Sequence, residues 1–250
     1  KENNLHIRYS GEKFLINGKS EFYIEKEFKN LLNFKIIKNK KKLNFETFFN
    51  LQNIELKFDD IGYRKAKKEN ATLQINGFEN NKIILFENVN YKNGNDEIEV
   101  KNLKISDSKI LNLDKIRFNY LTKNGFKNKI NLIKKNDNYE LKGKSFDSIQ
   151  LIEKISNSNP DKNFLEIFKN LNTKIHILID EVKLDEKNTV NNLNGNLEVK
   201  NSKIFDLDLN SNFNENEKLF ISIKTQKDNT VLTTFHSDRA KPFVKKYKFI

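Results

Sequence analysis

Along most of this chain apolar and polar residues alternate one for one, the period of a strand with one face buried and the other in water. Lys174–Leu184 (KIHILIDEVKL) is the clearest case, setting Ile175, Ile177 and Ile179 against Lys174, His176 and Asp180. The same alternation, broken by Asn, Gly, Asp and Lys, predicts strands at Leu5–Tyr9, Lys13–Ile16, Glu21–Phe28, Leu32–Ile37, Leu43–Phe49 and Asn53–Phe58. It continues through Ala71–Ile75, Lys82–Phe86, Glu97–Ile105, Lys109–Leu113, Lys115–Leu121, Lys129–Lys134 and Tyr139–Lys142. After a break it resumes at Lys174–Leu184, Gly195–Val199, Phe205–Ser211, Leu219–Lys224 and Val231–Phe235. Asn17-Gly18, Asn76-Gly77, Asn124-Gly125 and Asn194-Gly195 are expected to supply the positive φ angles of hairpin turns.

Two stretches read almost as copies. Asn102 to Asp114 (NLKISDSKILNLD) and Asn196 to Asp208 (NLEVKNSKIFDLD) are identical at seven of thirteen positions, including Ser108-Lys109-Ile110 against Ser202-Lys203-Ile204. Each reads as strand, tight turn, strand, and such a recurring unit predicts a sheet extended by similar strand pairs. Helical signals are few. Asp147 to Ser156 places Ile149, Ile152 and Ile155 on one face, with Asp147 or Ser148 as N-cap. Pro160-Asp161 opens a second short helix, and Ser237-Asp238 is placed to cap a third carrying Ala240, Phe243 and Tyr247. The expected division is a β meander over 1–145, a short helical insertion over 146–172, and a β segment over 173–250 ending in a short helix.

Composition adjusts this picture in three places. The 250 residues contain no Met, even at position 1, which points to a segment of a longer protein, and no apolar run long enough to span a bilayer. With 46 Lys and Arg against 34 Asp and Glu, the net charge of +12 invites a nucleic-acid reading. Yet only Arg8, Arg64, Arg117 and Arg239 are arginines, and bidentate recognition of phosphate or guanine favours Arg. The inflated Lys, Asn, Ile and Phe are the signature of an AT-rich genome, so most of the charge is assigned to solvated faces. The clusters Lys38 to Lys42 and Arg64 to Lys68 leave room for attraction to anionic lipid heads. Without Cys there is no disulfide, thiolate nucleophile or thiolate metal site.

Catalytic candidates do not assemble. His6, His176 and His236 are too scattered for a local metal motif, and His176 takes the polar parity of its strand. Asp180-Glu181, Asp185-Glu186 and Asp59-Asp60 lack a calcium-loop glycine and read as strand-end solvation. Eight glycines form no phosphate-cradling motif. Phe48-Phe49 and Phe118 with Tyr120 have the chemistry to stack bases but more simply pack an apolar face. The sequence therefore predicts no enzyme, no catalytic residue, no metal and no cofactor.

The last hundred residues carry a resemblance. A short helix near Ser148–Ile155 precedes KIHILIDEVKL, then NNLNGNLEV leads into NSKIFDLDL. Two further strands, LFISIKT and VLTTFHS, lead to Ser237-Asp238-Arg239-Ala240 at the head of a terminal helix. This order resembles the C-terminal region of AsmA-like bacterial envelope proteins, particularly the YhdP-type branch, where a Ser/Thr-Asp-Asp-Ala-Gly segment opens that helix. Here Arg239 stands at the second Asp and Lys241 at the Gly. The resemblance implies a mainly β fold: an elongated, twisted antiparallel sheet forming an open hydrophobic groove, with a few short helices. It implies a periplasmic location in a Gram-negative bacterium, an inner-membrane anchor in a segment outside this chain, and phospholipid as the partner, carried toward the outer membrane. The implied groove lining is Ile175, Ile177, Ile179, Leu197, Val199, Leu207, Leu209, Ile221 and Ile223.

The alternation itself supports the same mechanism, since each methylene sheltered from water on such a face contributes about 0.8 kcal/mol. The apolar parity serves equally well as the core of a sandwich. Two other readings also stay open: a surface-exposed β-solenoid or adhesin-like module, and a nucleic-acid-binding β protein.

Overall fold

The computed structural model describes residues 3–24, 28–152, 172–200, 203–228 and 230–239. It contains eighteen strands, β1 (Asn4–Ser10) to β18 (Val231–Ser237), and a 3-10 turn at Asp59–Ile61. The protein is mainly β, as the alternation requires, and its strands form an open sheet that does not close into a barrel. Hydrogen bonds order the strands β1-β2-β3-β4-β7-β8-β9-β11-β12-β13-β14-β15-β16-β17-β18, with β10 on β9, while β5 (Leu56–Phe58) and β6 (Tyr63–Lys65) pair separately. The chain divides into two compact units, Lys1–Lys57 with Tyr63–Tyr120, and Phe58–Gly62 with Leu121–Ile250.

The first unit is a meander. β1, β2 (Lys13–Ile24), β3 (Phe28–Asn39) and β4 (Lys42–Asn50) pair antiparallel in sequence order. β4 then pairs with β7 (Ala71–Asn80), followed by β8 (Ile83–Asn93) and β9 (Asp96–Ser106). Most hairpin loops hold two residues, and Asn81, Lys82, Asp107 and Ser108 adopt the positive φ that such loops need for a twist matching the strands. Of the four Asn-Gly pairs expected to turn, three do not: Gly18, Gly77 and Gly195 lie inside β2, β7 and β15 (Thr189–Lys200). Of these four only Asn124-Gly125 falls in a loop, while a fifth pair, Asn93-Gly94, stands at the turn between β8 and β9. Thus Lys13–Ile16 and Glu21–Phe28 are not two strands around a turn: β2 runs unbroken through Asn17-Gly18.

The repeat is structural. β9 and β10 (Lys109–Asn112) pair Ile105 with Ile110 and Lys104 with Asn112, leaving Leu111 as an extra residue. β15 and β16 (Lys203–Asn212) pair Val199 with Ile204 and Glu198 with Asp206, leaving Phe205 extra. The two copies share the same β-bulge at the same position, a feature that bends the strand and sharpens its twist.

In the second unit, β12 (Lys127–Lys135), β13 (Asn138–Asp147) and β14 (Thr173–Lys183) lead into β15, β16, β17 (Lys218–Thr225) and β18. One pairing departs from the antiparallel expectation: β13 and β14 are parallel. Parallel neighbours need a crossover of a dozen or more residues, and the stretch 148–172 supplies it. That crossover opens helically at 149–152. Its start is capped as the sequence predicts, the Ile149 N–H donating to Asp147 Oδ1 at 3.1 Å and the Ile152 N–H to the Ser148 carbonyl at 2.8 Å. The second helix, after Pro160, and the terminal helix after Arg239 lie outside the described residues.

Candidate functional site

Residues directly opposite one another in paired strands point to the same face, so the register decides which side chains meet. In the second unit it brings the predicted lining together. One row runs Tyr139, Ile175, Leu197, Leu207, Ile223 and Thr233 across β13 to β18. The next runs Leu141, Ile177, Gly195, Leu209, Ile221 and Phe235. Ile179 pairs with Leu193 on the same parity, and Val199 closes the other end opposite Thr173. All nine residues therefore occupy one face. The opposite face carries Glu140, His176, Asn196, Asp208 and Ser222 in register, with His176 Nδ1 3.0 Å from Asn196 Oδ1. His176 is thus an exposed polar-face residue, as its parity predicts.

The lining divides by burial. Ile177 at 8%, Ile179 at 3% and Val199 at 3% exposure are covered, whereas Ile175, Leu197, Leu207, Leu209, Ile221 and Ile223 are only half-buried. Residues sealed in a sandwich are shielded from both sides, whereas these six keep part of their surface accessible.

The first unit has an equivalent face, which the lining expected from sequence does not include. Its central row is Ile7, Ile16, Ile36, Phe45, Gly77, Phe86 and Leu103 across β1 to β9. Another is Leu32, Phe49, Leu73, Tyr91, Ile98 and Phe118, ending on β11 (Lys115–Leu121). Most of these side chains are again half-buried, and on edge strand β1 Ile7 is 54% exposed. The signal for this face is the same alternation, which marks each strand but not its neighbours, because pairing partners are not written in sequence. The reverse face is mixed: Leu15, Ile37, Phe78 and Leu85 share a row there with Asn44, while Glu97 and Glu99 bridge Arg117 at 3.4 Å, Lys101 at 3.2 Å and Lys115 at 2.7 Å. The Lys115 hydrogen bond holds the Glu99 carboxyl below the usual carboxylate range.

Each face is finished differently at its two strand ends. In the first unit residues 51–57 and 63–70 fold over one end of the apolar face. Tyr63, 0% exposed, stacks edge-on to Tyr91 and Tyr120 with centroids 5.7 and 5.2 Å away, and its hydroxyl lies 2.8 Å from that of Tyr91. Burial pushes both phenols above their ordinary pKa. This cover is pinned by Lys65, also 0% exposed, whose Nζ donates to the carbonyls of Gln52 at 3.1 Å, Ile54 at 2.7 Å and Ala66 at 2.8 Å. Burial lowers the Lys65 pKa. In the second unit the acids Asp180-Glu181 and Asp185-Glu186 gather at one strand end. Asp185 Oδ1 there accepts the N–H groups of Lys187 and Asn188, both at 2.8 Å, as a strand-end turn. No cluster of potential metal ligands occurs among the described residues. Comparison of the chain with protein-family models, curated proteins and solved structures finds no match.

Proposed function

We propose that the chain is a segment of a periplasmic bridge-like lipid-transfer protein of the outer-membrane biogenesis type. In this reading each unit's apolar face forms a groove that shields phospholipid acyl chains on their way between inner and outer membrane. The chain acts by physical sheltering, with no chemical step, and its anchor to the inner membrane belongs to a segment outside this sequence. The observation that carries the reading is a set of aligned apolar rows left half-open on one side of an open sheet. Such a face leaves hydrocarbon exposed at about 25 cal/mol per Å², a cost that an acyl chain removes. Long parallel rows suit a flexible chain better than a compact ligand, because every position along a row offers the same chemistry.

The test is mass spectrometry of the purified protein, with co-purifying phospholipid as the expected result. The informative variant is Leu209→Asp, not a change at Ile177. Leu209 is half-buried and pairs with Gly195, which adds no side chain beside it, so a carboxylate there reaches water, whereas Ile177 is covered by its neighbours. Leu209→Asp is expected to lose lipid while its far-UV circular dichroism stays that of a β protein. An unfolded variant together with a lipid-free parent would identify the face as a sealed core.

A further inference from the structure

The antiparallel order places lysines from distant parts of the sequence on one strand end of each unit. In the first unit the ends of β1, β3, β7 and β9, and the starts of the strands that follow them, share one side. Lys13, Lys38, Lys41, Lys82, Lys104 and Lys109 gather there, none of them with an acidic partner among the described residues. The acids at this end are Glu12, which pairs with Lys40 at 3.4 Å, Glu79 and Asp107. The other end of the same face is the one covered by the Tyr63–Lys65 strand, so the lysines border the end that is open.

Lys38 makes the connection to the apolar face direct. It is paired with Phe14 on β2 and Leu43 on β4, both of the apolar parity, so an exposed ammonium stands in line with two apolar side chains. The second unit also gathers lysines at one strand end, although Lys183, Lys187 and Lys218 stand at the other. Lys135, Lys203, Lys224 and Lys227 lie together at the strand end opposite the Asp180–Glu186 acids, again without acidic partners among the described residues. Lys109 and Lys203 are equivalent positions of the internal repeat.

We infer that these lysine-bordered strand ends receive the anionic heads of phospholipids whose acyl chains lie on the adjoining apolar face, so that the protein takes anionic lipids in preference to zwitterionic ones. The inference rests on the acyl-sheltering reading and adds the class of head to it. Lysine is well suited to such a border. Its ammonium is a compact, hydrated point charge on a flexible stem, attracting a phosphate that moves along the border without fixing it in bidentate geometry. A zwitterionic head brings its own cation and gains much less.

The experiment offers the chain phosphatidylglycerol and phosphatidylcholine of identical acyl composition and quantifies bound lipid by native mass spectrometry. The expected preference for phosphatidylglycerol is about tenfold at low salt, shrinking in 0.5 M NaCl, where the Debye length falls to roughly 4 Å. Combining Lys13→Gln, Lys38→Gln, Lys41→Gln and Lys109→Gln, all exposed positions, should abolish the preference and leave phosphatidylcholine binding and circular dichroism unchanged. Glycerol 3-phosphate should not displace the lipid; displacement would assign the border to soluble phosphates and overturn the inference. Equal binding of both lipids by the parent, or a preference that survives in the variant, also overturns it while leaving acyl sheltering intact. Binding of neither lipid overturns the sheltering reading itself.

Discussion

A lysine with no exposed surface is costly unless its ammonium is fully hydrogen-bonded. Lys65 meets that condition with three carbonyl acceptors, matching its three donors. Lys65→Met removes the donors and leaves the carbonyls of Gln52, Ile54 and Ala66 without them, so it should destabilise the first unit by about 1–3 kcal/mol in urea unfolding. A variant as stable as the parent would mean those carbonyls reach water. Beside Lys65, the raised pKa values of Tyr63 and Tyr91 give a pH dependence of definite sign. Burial favours the neutral phenols, so their stabilisation is fully present below the ordinary tyrosine value of about 10 and is lost as pH rises beyond it. Tyrosinate absorbance near 295 nm should therefore show a fraction of the tyrosines ionising only together with alkaline unfolding. Complete titration of a folded protein around pH 10 would contradict the burial.

At the scale of the element, the strands were legible because alternation is a local property, while the partners were not. Asn-Gly is a strong hairpin signal, yet in Asn76-Gly77 and Asn194-Gly195 glycine serves a close approach between strands. A Cβ on Gly77 would lie 2.0 Å from the Leu85 carbonyl oxygen, and one on Gly195 would lie 1.8 Å from that of Asp208. Gly77 also lets the rings of Phe45 and Phe86, its partners on either side, meet edge-on at 5.8 Å. Local sequence is the same in both uses; only the pairing tells them apart. The parallel β13–β14 pair was hidden for the same reason, because nothing in either strand records that its neighbour returns after a crossover. Gly195→Ala should cost about 1–3 kcal/mol, since backbone and not a movable side chain must give way. Thermal unfolding measures it, and an unchanged Tm would mean that β15 and β16 separate easily at this point.

For the whole molecule, the nine residues assigned to the lining from sequence fall on one face because the parity of each strand survives in the pairing. The gathering of Lys13, Lys38, Lys82 and Lys109 at one strand end was invisible, since they come together only once strand direction is known. That gathering also sharpens the question of nucleic acid, because a net charge of +12 attracts any polyanion. On the reverse face of the first unit, however, Glu97 and Glu99 already engage Arg117, Lys101 and Lys115, interrupting the basic surface at β9 and β11. The lysines of the border sit at strand ends, where they can neutralise a few phosphates. A contact of a few phosphates loses affinity steeply with salt, its slope set by the number neutralised. Duplex DNA and single-stranded RNA are therefore expected to bind weakly at 50 mM salt and not measurably at 150 mM, with no dependence on sequence, by fluorescence anisotropy. Phospholipid held on the apolar face should persist through the same change, because hydrocarbon contact is not screened by ions. Sequence-selective nucleic-acid binding that survives at 150 mM, with lipid lost over the same range, would reverse the assignment of these surfaces.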